Sequence, residues 1–192
     1  MPDLFRDKAA DWDQRPVPLQ ISDGVVRAMR ARVPLTPDLV VMDFGAGTGL
    51  IARGLAPFVG QLHAVDVSAA MLDQLAAKDE LRGKVTVHCR DLLARPLELQ
   101  VAMHHVEDTA ALARALYAHL RPGGWIALAD LDAEDGTFHP PGAEGVFHAG
   151  FDRAALGRTL ADAGFVDVVF DTATVVHRDG RPYPVFLVTA RR

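Results

Sequence analysis

Cysteine is almost absent from this chain. One residue, Cys89, stands among 192. That excludes an internal disulfide and any zinc site built on several cysteines. Its place in the apolar run Val85-Thr86-Val87-His88-Cys89 reads as a buried strand thiol. Long hydrophobic runs are missing too, and no stretch approaches the ~20 apolar residues of a membrane-spanning helix. The first residues, Met1-Pro2-Asp3-Leu4-Phe5-Arg6-Asp7, lack the apolar core of a secretion signal. There is no block of basic residues. The net charge is −5, from 20 basic and 25 acidic side chains, which argues against a nucleic-acid partner. Repeats and low-complexity tracts are also absent. These absences lead to the expectation of a soluble cytoplasmic protein without a membrane or nucleic-acid partner. The length predicts one domain, and the 49 % hydrophobic content suffices for a core.

What the chain does have is an alternation of strand and helix patterns. Residues 1–36 read as a helical N-terminal cap. Pro16 and Pro18 are expected to break it, a helix to follow over Asp23–Arg32, and Pro34 and Pro37 to end that helix. Strands are expected at Leu39–Asp43, Gln61–Val67, Val85–Cys89 and Trp125–Leu131, with helices at Leu50–Phe58, after Ser68, over Asp108–Leu120 and from Asp152 to Gly164. Val166–His177 and Tyr183–Ala190 read as a hairpin closed near Asp179-Gly180. Alternation of this kind predicts a parallel sheet covered on both faces, with ligands bound beyond the carboxyl ends of its strands. The closing hairpin adds one antiparallel strand at or near an edge.

The most informative stretch is Val40-Val41-Met42-Asp43-Phe44-Gly45-Ala46-Gly47-Thr48-Gly49-Leu50. A strand runs into an acid, then into glycines at alternate positions, then into a helix. Backbone that turns sharply without side chains can press against a ligand. Asp43 puts a carboxylate beside the turn, where a phosphate is unwelcome. The pattern favours a nucleoside ligand carrying a cation, such as S-adenosylmethionine (SAM), over a dinucleotide.

With these residues in view, the chain resembles the class I SAM-dependent methyltransferases of small-molecule type over nearly its whole length. The resemblance rests on Asp43–Gly49, on Asp66 ending Leu62-His63-Ala64-Val65-Asp66, and on Asp91 after the third strand. It continues in Met103-His104-His105-Val106-Glu107-Asp108, in Leu120-Arg121-Pro122-Gly123-Gly124-Trp125 and in Ala163-Gly164-Phe165. It implies an α/β three-layer sandwich with a mostly parallel sheet of the seven-stranded type and an antiparallel C-terminal hairpin strand. It also implies a single domain: the cap (1–36), a SAM-binding core (37–131), and a substrate loop with the hairpin (132–192). By the same resemblance, Asp66, 21 positions beyond Gly45, accepts hydrogen bonds from ribose hydroxyls. Asp91 takes one from the adenine amino group, and Val67 and Leu92 sandwich the adenine. Asp43 lies near the methionine end, and Gly45, Ala46 and Gly47 form the close backbone approach. Trp12 resembles part of a variable lid, and Phe151 is expected over the pocket. Bland readings stand beside these: a turn former at Asp43, helix capping at Asp66, a solvated loop acid at Asp91, a hydrophobic anchor at Trp12.

One region departs from the pattern. Only 13 positions separate Asp91 from His104, fewer than the family has there. The available segment, Leu97–Met103, alternates apolar and polar residues, which is wrong for a strand buried on both faces. The fourth strand is therefore expected to be short and irregular, lost, or replaced by rearranged neighbours.

Methyl transfer from a sulfonium is an in-line displacement that needs neither a metal nor a covalent nucleophile. A general base helps where the acceptor is a hydroxyl or an amine. Candidates are His104, His105, His139 and His148, with Asp130 or Asp132; a packing role is open for each. No metal site is expected, because no histidines stand at helical i, i+4 spacing. The leading expectation is transfer of a methyl group from SAM to a small-molecule acceptor, leaving S-adenosylhomocysteine (SAH). The alternatives are a nonenzymatic relative that binds SAM or a partner, and a nicotinamide-dependent oxidoreductase. The acceptor and the oligomeric state are not encoded legibly.

Overall fold

The computed structural model describes residues 3, 5–90, 103–140 and 142–192. The chain opens with a 3-10 helix, Arg6–Gln14, followed by α1, Pro16–Arg32. Pro16 and Pro18 do not break this helix. They sit in its first turn, where the missing N–H has no intrahelical partner to lose and the fixed φ already suits the helix. The helical segment therefore starts earlier than its prolines suggested.

Three parallel strands form the first sheet: β1 (Val40–Phe44), β2 (Gln61–Asp66) and β3 (Val85–Cys89), in the order β1-β2-β3. Phe44 pairs with Val65, and Asp66 with Cys89, so Asp43 and Asp66 both stand at carboxyl ends. Between the strands lie α2 (Leu50–Leu55) and α3 (Ala69–Ala76). α3 is capped by Ser68, whose Oγ accepts the Met71 N–H. Ala52, Leu55, Val59, Leu62, Ala64 and Leu75 are buried together and hold these helices on the sheet. Cys89 is exposed. The expected buried thiol is corrected by its place on β3, which pairs only with β2 among the described residues and turns Thr86, Val87 and Cys89 outward.

The second sheet holds β4 (Trp125–Leu131), β5 (Val166–Arg178) and β6 (Arg181–Arg191), in the order β4-β6-β5, with β6 antiparallel to both neighbours. The two-residue turn Asp179-Gly180, with φ of 50° and 77°, closes the hairpin. β6 is buried from Val185 to Ala190 because both of its faces are covered. On one side Phe186, Val188 and Ala190 meet α4 (Thr109–His119) and α5 (Arg153–Asp162). On the other, Val185 meets Val17 and Ile21 of α1. α1 is tied down further by Gln20 to the Val175 carbonyl and by Arg32 to Asp171.

The fold is thus α/β, with a parallel sheet and an antiparallel one. The expected seven strands are six among the described residues, and they lie in two sheets of three rather than one. Phe44, at the end of β1, packs against the core of the second sheet beside Met103 and Phe186. The segment expected to supply the fourth strand, residues 97–102, lies outside the described residues. Met103 begins a 3-10 turn that ends at His105.

Candidate functional site

The glycine turn is built against β2. The N–H groups of Gly45 and Ala46 both donate to the Val65 carbonyl, at 2.8 and 3.1 Å, and that of Gly49 donates to Ala46. Gly47 and Gly49 hold φ of 52° and 82°, left-handed values that side chains disfavour. They differ in surroundings. A Cβ on Gly49 would meet Leu75 Cγ at 2.6 Å, so this glycine is required by packing; a Cβ on Gly47 would meet nothing within 4 Å among the described residues. Gly47 is itself buried, so what lies beside it is free volume within the turn region rather than exposed backbone.

Two acids flank it. Asp66 is 3 % exposed, and its carboxylate accepts the N–H of Gly47 through Oδ2 and that of Ser68 through Oδ1, both at 2.8 Å. Burial pushes this carboxyl up from its ordinary pKa, against the pull of the Ser68, Gly47 and Val67 N–H groups. Asp66 thus braces the turn, a role that spacing alone did not reveal. Beside it Val67 is 39 % exposed, an apolar side chain left open next to a buried acid. Asp43 Oδ2 is buried without a hydrogen-bond partner among the described residues. Burial first, and repulsion from Asp66 second, push Asp43 up to about 6. Asp91 and Leu92, expected at the adenine, lie outside the described residues.

The N-terminal 3-10 helix is strapped onto this region by contacts that the sequence reading missed. Ser68 Oγ donates to Asp3 at 2.9 Å, and the Thr48 hydroxyl donates to Asp13. Lys78 pairs with Asp13 at 2.5 Å and donates to the Thr48 carbonyl at 2.6 Å. Trp12 is half-buried in the strap, edge-on to Phe5 with ring centroids 5.9 Å apart.

The histidines divide. His104 Nδ1 lies 2.8 Å from Asp130 Oδ1, and its backbone N–H donates to Oδ2 at 3.0 Å. His105 Nδ1 donates to the Gly145 carbonyl. His139 packs against His104, centroids 4.9 Å apart, and its Nε2 is buried with no partner among the described residues. Burial, with neighbouring imidazoles, lowers the pKa of His105 and His139 and keeps both neutral at pH 7. His148 stands apart: Nε2 donates to the Val106 carbonyl at 2.9 Å and ties down a loop. Phe151, expected over the pocket, is instead a core residue, 9 % exposed and packed with Met103, Val106 and Phe186. Asp132 is engaged by Arg153 at 2.6 Å. Among the described residues no three histidines, cysteines or acids are arranged to hold a metal ion.

The methyltransferase-domain family matches residues 41–124, from β1 through the turn before β4. This stretch of the chain is similar to a methyltransferase domain. A relative is the malonyl-[acyl-carrier protein] O-methyltransferase of Halorhodospira halophila, 31 % identical over 146 residues, 68 % of this chain and 50 % of that protein. The trans-aconitate 2-methyltransferase of Pseudomonas aeruginosa is 28 % identical, over 81 % of this chain and 60 % of its own length. The chain spans about half the length, or less, of the first curated relatives it matches. Among solved structures, a SAM-dependent methyltransferase from Aquifex aeolicus superposes with a TM-score of 0.65 at 22 % identity, covering 97 % of each chain. A phosphoethanolamine N-methyltransferase of Haemonchus contortus, in complex with SAM, gives 0.68 at 16 % identity, over 98 % of this chain and 60 % of that one. At these identities the superpositions speak for the fold of the methyltransferase domain alone.

Proposed function

We propose that this chain is a SAM-dependent methyltransferase that acts on a small-molecule acceptor and releases SAH. The observation that carries the reading is the pairing of free space beside the Gly47 backbone with a buried carboxylate oxygen on Asp43 that has no partner, both among the described residues. A cationic nucleoside fits both: the backbone needs a flat, close neighbour, and the orphan carboxylate needs a cation or donor. A pyrophosphate fits neither. The exposed Val67 beside Asp66 supplies an apolar platform next to an acid, which suits a nucleoside base and its ribose.

In this reading Gly45, Ala46 and Gly47 line the close approach, Asp43 neutralises positive charge at the methionine end, and Asp66 holds the ribose with lone pairs its two amides leave free. Asp91 and Leu92 keep their assignment to the adenine. When bound, SAM supplies an activated methyl group and a good leaving group. The protein's own work is alignment and exclusion of water. The strap, which holds Thr48 of the turn through Asp13 and Ser68 through Asp3, serves the second task, with Trp12 as its lid residue. The same reading keeps residues 1–36 as the cap, 37–131 as the cofactor core and 132–192 as the substrate loop and hairpin. It takes the two three-stranded sheets as parts of one class I sheet meeting near Phe44, and it sets the chain in the cytoplasm without a nucleic-acid partner.

The test is methyl transfer itself. The full chain is incubated with methyl-labelled SAM and a pool of small hydroxyl, amine and carboxylate compounds. Label in one class of product, with stoichiometric SAH, is expected. SAM binding without transfer to any pool returns the account to a nonenzymatic SAM-binding relative.

A further inference from the structure

The cluster around His104 carries an inference about the acceptor. Asp130 is 5 % exposed and its carboxylate accepts three N–H groups: the His104 backbone, the His104 ring and the Leu131 backbone at 2.8 Å. A carboxylate in this state only accepts, so the proton of the neutral imidazole sits on Nδ1. That leaves the lone pair of His104 on Nε2, on a side chain 13 % exposed. An acid that fixes the tautomer and orientation of a histidine is the arrangement by which a histidine becomes a base. Position supports the role. Asp130 stands at the carboxyl end of β4, and His104 follows Met103, which packs near Phe44 at the carboxyl end of β1. The N-terminal segment links the cluster to the cofactor side. Asp3 bonds Ser68, and Phe5, two residues on, meets the His105 ring at 6.1 Å.

We propose that His104 is the general base of the transfer, that Asp130 is its positioning residue, and that the acceptor is a hydroxyl compound; this rests on the methyltransferase reading above. The acceptor's O–H bond breaks, its proton passes to the Nε2 lone pair, and the bonding electrons stay on oxygen, which is then the nucleophile. The resulting imidazolium is held by Asp130 and returns its proton to solvent after product leaves. A carboxylate acceptor needs no base, because it is already ionised. It needs a cation, and the cations facing the cluster among the described residues are otherwise engaged. The Arg178 guanidinium donates to the Phe138 carbonyl and lies over the Phe138 ring, and the Lys8 ammonium lies over the Phe5 ring. The other charged or titratable groups facing the cluster are His105, His139, Asp130 and Glu134.

The experiment has a readout free of cofactor and a readout of turnover. Long-range nitrogen–proton NMR on the SAM-free chain at pH 8 is expected to show His104 protonated on Nδ1, and Asp130→Asn to shift that proton toward Nε2. An Nε2–H tautomer in the unmodified chain overturns the proposal. With SAM present, catechol, phosphoethanolamine and trans-aconitate are compared as acceptors. Catechol is expected to be methylated, with His104→Gln lowering kcat about 100-fold or more while the Kd for SAM stays within about twofold, and with the acid limb of the pH profile lost. Preference for trans-aconitate, no transfer to catechol by a chain that binds SAM, or full kcat in His104→Gln overturns it. Failure of the unmodified chain to bind SAM is the separate failure of the methyltransferase reading.

Discussion

Asp43 and Asp66 stand at the carboxyl ends of neighbouring parallel strands and repel each other, yet Asp66 has both carboxylate oxygens held by backbone N–H groups, whereas Asp43 is eased by the Ala52 N–H alone and keeps Oδ2 without a partner among the described residues. The burden falls on Asp43, held at about 6. An acid whose folded pKa exceeds its unfolded one favours the native state while protonated. Its contribution is fully present below about pH 4 and is lost as pH rises through about 6, worth on the order of 3 kcal/mol. Asp43→Asn removes the titration. Urea midpoints at pH 4 and pH 7.5 are expected to diverge in favour of the variant at the higher pH. A constant difference between the two proteins at both values contradicts the assignment.

A bound cation acts on the same group in the opposite sense. SAM brings positive charge to Asp43, favours its ionised form, and expels a proton near pH 6. Affinity is expected to rise from pH 5 to pH 7.5, with proton release visible as a buffer-dependent heat. Affinity flat across this range separates Asp43 from the cofactor.

Gly47 and Gly49 distinguish binding from folding. Gly49→Ala drives a Cβ into Leu75 at 2.6 Å and is expected to cost about 1–3 kcal/mol or more in unfolding free energy. Gly47→Ala has room and suffers only the local backbone penalty of about 1 kcal/mol, but its methyl group projects into the space assigned to SAM. Thermal melts and SAM titrations of both variants check this. The expected pattern is a stable Gly47→Ala with affinity down tenfold or more.

Asp66→Ala leaves the buried N–H groups of Gly47 and Ser68 without their acceptor. Each charge-assisted bond is worth about 1.5–3 kcal/mol. A lower urea midpoint and weaker SAM binding are expected together. Weaker binding at an unchanged midpoint would assign Asp66 to the ligand alone.

The strap predicts a dynamic effect. Asp13→Ala removes the Lys78 pair and the acceptor of Thr48. Asp13 and Lys78 are partly exposed but Thr48 is buried, so leaving its hydroxyl without an acceptor is expected to lower stability by about 1–3 kcal/mol. Hydrogen exchange over residues 6–14 is expected to quicken, and SAM to dissociate faster. Trp12→Ala is expected to do the same; unchanged exchange and affinity in both would reduce the strap to a plain anchor.

Local chemistry was the legible part of this sequence. Ser68 and Asp152 were readable at helix starts because a cap is a short-range bond, here to Met71 and Ala155. Pro16 misled because proline both breaks helices and begins them, and only the folded chain settles which. The Cys89 thiol misled because an apolar run does not say that its strand has one neighbour instead of two. The strap was invisible because Asp3 meets Ser68 and Asp13 meets Thr48 across 65 and 35 residues of chain. His104 and Asp130 were readable as types at strand ends, but the tautomer that makes a base of one of them follows from geometry alone.

The most direct test of the central claim is calorimetric titration of the intact chain with SAM and with SAH. The account predicts a single site for each in the micromolar range and a Gly47→Ala variant that melts like the parent yet binds far more weakly. A well-folded chain that takes up neither compound would contradict it.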